Sequence, residues 1–188
     1  MLTNHHKLKL FISDKRYDHS LEVANLSKKI ATHYNYPDPQ NAYIAGLYHD
    51  VAKDLSIVLL HDYAKKYNYQ PESDYVNSSA LLHAPVGMLI IKNEFEISDS
   101  EILSAIRYHT TGRANMTFLE KTVYLADIAG SGKEIGHSLE VLKLAYTDID
   151  KAVLLTAKET LLHLLNKGRY ICKNSFECYN FYSNTQNE

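Results

Sequence analysis

Apolar residues recur at helical spacing along most of the chain. Within residues 17–34, Val23, Leu26 and Ile30 follow one another at steps of three and four, which indicates one buried helix face. Residues 41–53 are apolar nearly all round, a pattern typical of a helix in the centre of a core. No segment shows the alternation expected of paired strands. The pattern therefore predicts an all-α fold.

Capping and turn residues predict where the helices begin and end. Helix starts are expected at Asp54 or Ser56, Pro85, the capping boxes 98–101 and 117–120, Ser138 and Asp148. Placing Pro85 in a first turn leaves His83 just ahead of that helix, at the end of a loop. Gly168 is expected to end the last helix, so residues 169–188 are predicted to be a polar, aromatic and loosely packed tail.

Composition limits the possible partners and compartments. The 188 residues suit one domain with a core of about residues 16–168. A net charge of −2 argues against a nucleic-acid partner, and no run approaches the roughly 20 apolar residues of a membrane span. Cys172 and Cys178 match neither zinc-knuckle nor disulfide spacing, which favours a reducing cytoplasm. A homodimer is an open alternative to a monomer.

Several residues with metal-binding side chains stand in apolar surroundings. They are His19, His49, Asp50, His83, His109 and Asp127. Burying a polar group without a partner costs about 2–7 kcal/mol, and a bound cation removes that cost. The spacing of the histidines places them on different helices, as in metal sites built inside helical bundles.

The donor types indicate the kind of metal and the number of ions. Four imidazoles and two carboxylates suit iron, the first candidate, and also manganese, cobalt or zinc. Six side chains are too many for one catalytic ion with an open position, so two ions are predicted. Two ions about 3.5–4 Å apart can activate water and stabilise an in-line displacement at phosphorus. The positive charge of two divalent ions exceeds the negative charge of two carboxylates. The centre would therefore be positive, which favours an anionic substrate.

Polar residues near these positions are candidates for catalysis and substrate binding. Lys53 and Asp54 follow Asp50 by about one helical turn, so Lys53 could contact phosphate and Asp54 could orient water or accept a proton. An ion pair or a helix cap is the alternative for both. A turn after His109 offers three candidate phosphate-binding residues: Thr110, Thr111 and Arg113. An ordinary polar loop is the alternative there.

Five sequence blocks in fixed order resemble a known family. They are RYDHSLEVA (16–24), HDVAKD (49–54), LHAPVG (82–87), IRYHTTGR (106–113) and YLAD (124–127). Together they resemble the HD-domain metal-dependent phosphohydrolases, and within them the YqeK-type symmetrical diadenosine tetraphosphate hydrolases. The resemblance implies an all-α HD-domain bundle with a metal site in its core, and a nucleotide substrate that is cut into two ADP.

The same resemblance implies how the ions are held. His19, His49, Asp50 and Asp127 would hold one ion, while His83 and His109 would hold the second, with Asp50 bridging. Another HD activity on nucleotides, a nucleotidase or a guanosine tetraphosphate hydrolase, is the nearest alternative. A catalytically idle module that senses nucleotide or metal is the alternative from a different class.

The chain departs from the family pattern directly after Asp127. Residues 128–133 read IAGSGK, so Gly130 stands at the family's acidic position and Lys133 at its basic one. Lysine is a flexible point charge, whereas arginine binds phosphate through a planar fork. Lys133 is therefore predicted to hold phosphate with less geometric constraint, and the chain to accept a broader range of nucleoside polyphosphates.

Overall fold

The computed structural model describes residues 3–130 and 138–185. The described residues form helices joined by turns and loops and contain no strand, which confirms the all-α prediction. The helices are α1 (His5–Leu8), α2 (Asp14–His33), α3 (Pro39–Tyr48), α4 (Ile57–Lys66), α5 (Ser79–Glu94), α6 (Ser100–Tyr108), α7 (Phe118–Gly130), α8 (Ser138–Ala145), α9 (Ile149–Asn166) and α10 (Lys173–Asn184). None of these helices is both long and apolar enough to cross a membrane.

Several predicted helix boundaries are confirmed by their hydrogen bonds. The Ser56 side chain accepts from the Leu59 N–H and begins α4, and the Asp148 side chain accepts from the Lys151 N–H and begins α9. The capping box 117–120 is reciprocal: the Thr117 N–H donates to Glu120 Oε2 at 2.8 Å, and the Glu120 N–H donates to Thr117 Oγ1 at 3.3 Å. Gly168 follows α9 with a φ of +59°, a backbone conformation that glycine adopts without strain.

Two predicted boundaries are wrong, and both concern segments that carry candidate site residues. The central helix ends at Tyr48 instead of Lys53, because residues 49–55 continue in tighter turns. Helix α5 begins at Ser79, so Pro85 lies inside it and His83 is a helical residue. Pro85 removes one helical N–H, but the buried surroundings of residues 82–87 outweigh that loss.

Two further expectations fail in detail. Asp99, instead of Ser98, caps α6, because its carboxylate accepts from the N–H groups of Glu101 and Ile102 at 2.9 and 3.1 Å. The tail is not loosely packed, since α10 packs on α9 and buries Cys178 and Tyr182. Periodicity alone did not indicate this helix because its sequence is polar and aromatic.

The long helix α2 packs against α3 and α7, and this packing brings the candidate residues together. Helices α2 and α3 approach closely at Gly46, where a Cβ atom would lie 2.8 Å from the Ala24 Cα. One apolar cluster includes buried residues of α3, α5 and α6, and a second joins α7 to α9 and α10. The absence of a side chain at Gly46 is therefore a requirement of the fold.

Replacing Gly46 with alanine is expected to destabilise the protein by about 1–3 kcal/mol, the usual cost of overpacking. The added methyl group would meet backbone atoms of α2, which cannot rotate away. Gly130→Ala is the matched control, because a Cβ atom at that position would lie 3.6 Å from its nearest neighbour, the Val23 Cγ2, which is an ordinary van der Waals contact. Urea unfolding of both variants measures the difference. Equal stability of the two variants would contradict the close approach of α2 and α3.

Candidate metal centre

Five elements bring the six candidate ligands to one place. His19 lies on α2 and Asp127 on α7, while His49 and Asp50 directly follow α3. His83 lies on α5, and His109 directly follows α6. The side chains of His49, Asp50, His83 and His109 are almost completely buried. Four polar groups that are distant in sequence thus share one interior site with the pair that follows α3.

Three of these residues form a first group around Asp127. The His19 Nε2 lies 3.0 Å from Asp127 Oδ1, and the His49 Nε2 lies 3.6 Å from the same oxygen. One ligand atom from each residue lies within 4.8 Å of the other two. This spacing could hold one metal ion.

A second group surrounds Asp50. Its Oδ1 lies 3.2 Å from His83 Nε2 and 3.3 Å from His109 Nε2, and these two nitrogens are 3.1 Å apart. The other oxygen, Oδ2, faces His49 Nε2 at 3.4 Å. The two oxygens of Asp50 are therefore divided between two sets of histidines.

Backbone carbonyl groups orient three of the histidines. His49 Nδ1 donates to the Gly46 carbonyl at 2.7 Å, and His109 Nδ1 donates to the Ile106 carbonyl at 2.7 Å. His83 Nδ1 lies 3.2 Å from the Ser79 carbonyl. A carbonyl can only accept, so each Nδ1 carries a proton and each Nε2 faces the centre. Metal-binding histidines in proteins are oriented in the same way.

Burial and charge set the protonation of the centre. Burial lowers the pKa of His83 to about 4 and also lowers the pKa of His109, so both imidazoles are neutral at pH 7. Burial opposes a charge on His49, but the carboxylates of Asp50 and Asp127 outweigh it and raise that pKa to about 10. Burial alone would raise the pKa of both carboxyl groups, yet the nearby histidines hold both well below their usual range. The carboxylates thus require positive charge beside them.

The donor atoms fit a transition metal. Two buried atoms that face the centre, His49 Nε2 and Asp50 Oδ1, have no hydrogen bond to any described residue. An unsatisfied buried polar atom costs about 1–3 kcal/mol, and a bound cation would remove this cost. Imidazole nitrogens combined with carboxylate oxygens suit zinc, iron, cobalt or manganese better than calcium.

Arg16 belongs to the centre although its side chain was not a predicted site residue. Its Nη1 donates to Asp50 Oδ2 at 2.8 Å, and its Nε lies 3.8 Å from Asp54 Oδ1. Asp54 in turn accepts from the N–H and hydroxyl of Ser13. Arg16 precedes His19 by three residues, and residues three apart lie on the same face of a helix. This spacing could have indicated from the sequence that Arg16 faces the same site as His19.

The predicted substrate residues differ in their positions. Thr110 and Lys53 are at the centre: the Thr110 Oγ1 lies 2.9 Å from His109 Nε2, and the Lys53 Nζ lies 3.2 Å from His83 Nε2. The Thr111 hydroxyl donates to the Gly112 carbonyl instead. Lys133 lies outside the described residues.

Arg113 takes part in an ion pair within the fold. Its Nη2 lies 2.9 Å from Oε2 of the buried Glu120, the residue that also completes the capping box of α7. Phosphate would have to compete with this pair, so the geometry does not support Arg113 as a phosphate clamp.

Comparison with known proteins agrees with this geometry. Residues 16–129 match the HD domain family. The chain is 33% identical over 92% of its length to a symmetrical bis(5'-nucleosyl)-tetraphosphatase of Staphylococcus aureus, covering 89% of that protein. It is also 33% identical to a protein of the same name from Bacillus subtilis, with 90% of each chain covered.

A solved structure extends the similarity to nearly the whole fold. It is a Clostridium acetobutylicum protein described as a predicted HD superfamily hydrolase involved in NAD metabolism. The two structures agree with a TM-score of 0.91 at 33% identity, over 98% of this chain and all of the other. The clustered histidines and aspartates, the family match and this shared fold together show that the chain belongs to the HD-domain family of metal-dependent hydrolases.

Proposed function

We propose that the chain hydrolyses diadenosine tetraphosphate symmetrically into two ADP, with two metal ions bound by the six candidate ligands. The observation that carries this proposal is the division of the Asp50 oxygens between two sets of histidines. One carboxylate placed in this way can bridge two ions. The names of the relatives from Staphylococcus aureus and Bacillus subtilis support the choice of substrate.

The proposed ligand sets follow the distances. His19, His49 and Asp127 would hold one ion, and His83 and His109 would hold the second, with one oxygen of Asp50 beside each set. Iron is the first candidate, with manganese, cobalt and zinc as alternatives that suit the same donors. When bound, the two ions supply an activated water molecule and neutralise charge on the phosphates.

The cationic side chains of the centre are proposed to hold the polyphosphate. Arg16 and Lys53 lie beside opposite oxygens of Asp50, at 2.8 and 3.8 Å. Their side chains are 27% and 28% exposed, so both extend from the buried centre toward solvent. The Thr110 hydroxyl, near His83 and His109, can donate to a phosphate oxygen. Asp54 supports Arg16, and its direct role as a base stays a prediction.

The products formed from diadenosine tetraphosphate test the proposed reaction. Attack on a phosphorus beside the central bridging oxygen releases ADP and leaves ADP, so ADP is expected as the single early product. Chromatography of early time points distinguishes this from AMP plus ATP, which would contradict symmetrical cleavage. Equal activity on phosphate monoesters would favour a nucleotidase, and no turnover of a nucleotide panel by metal-loaded protein would favour a sensing module.

Arg16→Ala is expected to raise KM for diadenosine tetraphosphate about tenfold or more, because a charged hydrogen bond contributes about 1.5–3 kcal/mol. The metal content should stay close to that of the unaltered protein, since Arg16 is not a proposed ligand. Lys15→Ala is the matched control, because Lys15 is an exposed cation one residue earlier on α2. An unchanged KM in Arg16→Ala would exclude a phosphate contact.

The remaining expectations concern specificity and context. Lys133 is proposed to hold phosphate with little geometric constraint, so Lys133→Ala should raise KM without changing metal content.

The nucleotide substrate and the two cysteines, which form no disulfide, support a cytoplasmic location. A homodimer and the absence of a nucleic-acid partner stay predictions.

A further inference from the structure

Helix α10 contacts the segment that joins α6 to α7, here named the 110–117 loop. This loop directly follows His109 and includes Thr110. The match to the HD domain family ends at residue 129, so α10 lies outside it. The contact therefore adds a part of the chain to the candidate centre that the family match does not contain.

Two buried side chains of α10 lie against the loop backbone. The Met116 N–H donates to the Tyr182 hydroxyl at 3.0 Å, and the Cys178 Sγ lies beside Gly112. Cys178 is 0% exposed and Tyr182 is 1% exposed, so water does not reach these contacts. The hydrogen bond fixes one backbone atom and the thiol fills the space beside Gly112, which leaves the loop little freedom to move.

The close approach at Gly112 shows how tightly the loop lies on α10. Gly112 has a φ of +60°, and a Cβ atom at this position would lie 2.7 Å from the Cys178 Sγ. Only glycine combines this backbone conformation with this contact. The loop and the helix are thus fitted to each other at the residue between Thr111 and Arg113.

The loop begins at the residue that faces two of the histidines. The Thr110 Oγ1 lies 2.9 Å from His109 Nε2 and 3.2 Å from His83 Nε2. Gly112, which lies against Cys178, is only two residues farther along the chain. The position of the loop therefore determines where the Thr110 hydroxyl lies.

We propose that Cys178 and Tyr182 are positioning residues of the candidate site, which hold the 110–117 loop so that the Thr110 hydroxyl stays in place to donate to a phosphate oxygen of the substrate. The proposal rests on the phosphate contact of Thr110 described under the proposed function. His109 is already oriented by the Ile106 carbonyl. The effect of α10 is therefore exerted mainly through Thr110 and is moderate in size.

The variants Tyr182→Phe and Cys178→Ala test this role in the full chain. In metal-loaded protein, KM for diadenosine tetraphosphate is expected to rise about two- to tenfold in both variants while kcat and metal content stay nearly unchanged, as for the loss of one hydrogen bond. The backbone amide of Met116 should exchange its hydrogen faster in Tyr182→Phe, and that of Gly112 faster in Cys178→Ala. Tyr179→Phe makes the same chemical change on the same helix and should leave KM unchanged.

A double-mutant cycle separates positioning from general stabilisation. If α10 acts through Thr110, adding Tyr182→Phe to Thr110→Ala should raise KM no further. An unchanged KM in both α10 variants, with only a lower melting temperature, would overturn the proposal. A lack of turnover by the unaltered, metal-loaded protein would overturn the proposed function and the positioning role together, whereas a higher KM in the variants alone supports the positioning role.

Discussion

Asp50→Asn is expected to lower the rate of diadenosine tetraphosphate hydrolysis by about three orders of magnitude or more and to reduce binding of both metal ions. Asparagine keeps the size of the side chain but loses the negative charge and one of the two acceptor oxygens. Each oxygen of Asp50 faces a different group of histidines, so each of the two proposed ions would lose a ligand. Interactions with a catalytic ion contribute several kcal/mol, and about 4 kcal/mol corresponds to this loss of rate.

Elemental analysis of the purified variant, with activity measured on the same sample, checks this result. Asp62→Asn removes a carboxylate from an exposed position of α4 and is the matched control. Circular dichroism confirms that both variants keep their helices. A single ion that remains at full occupancy in Asp50→Asn, with activity retained, would contradict a bridging role.

The second large effect is expected from a pair of histidine variants on opposite sides of Asp50. His19→Ala should release the ion next to Asp127, and His83→Ala should release the ion next to His109, because each residue lies in only one group. Each variant is expected to keep close to one ion per chain. Activity should fall at least about a hundredfold in both, the rate equivalent of roughly 2.7 kcal/mol, because the two proposed ions would stabilise different oxygens of the displacement.

Metal stoichiometry of both variants after extensive dialysis distinguishes two separate ion sites from a single shared site. His163→Ala removes an exposed imidazole from α9 and should retain the full metal content. Complete loss of metal in both His19→Ala and His83→Ala would indicate one ion held by all six residues, and the dinuclear proposal would then be wrong.

The helical character of this chain and the residue types of its centre could be predicted because both depend on local patterns. The spacing of Val23, Leu26 and Ile30 predicts the buried face of α2; Val23 and Ile30 are fully buried and Leu26 is partly buried. The capping chemistry of Ser56 and Asp148 predicts two helix starts for the same reason, since a cap involves only neighbouring residues. The motif blocks predicted which histidines and aspartates come together, and the fold brings them together.

Local patterns were insufficient where distant segments decide the structure. Helix α5 continues through Pro85 because its neighbours bury it, and no signal within the segment reports that burial. The pairing of Arg113 with Glu120 likewise depends on how the loop folds back on α7, so the sequence was compatible with a phosphate contact instead.

The sequence by itself determined the all-α class, most helix boundaries and the chemical types of the candidate ligands, because these follow from helical periodicity, capping and side-chain chemistry. Only the tertiary structure decided that the two oxygens of Asp50 face different histidines, that Arg16 pairs with Asp50, and that α10 holds the 110–117 loop. These features depend on the relative placement of helices that are far apart in the chain. That placement is decided by the close packing of buried surfaces, such as the approach of α2 and α3 at Gly46.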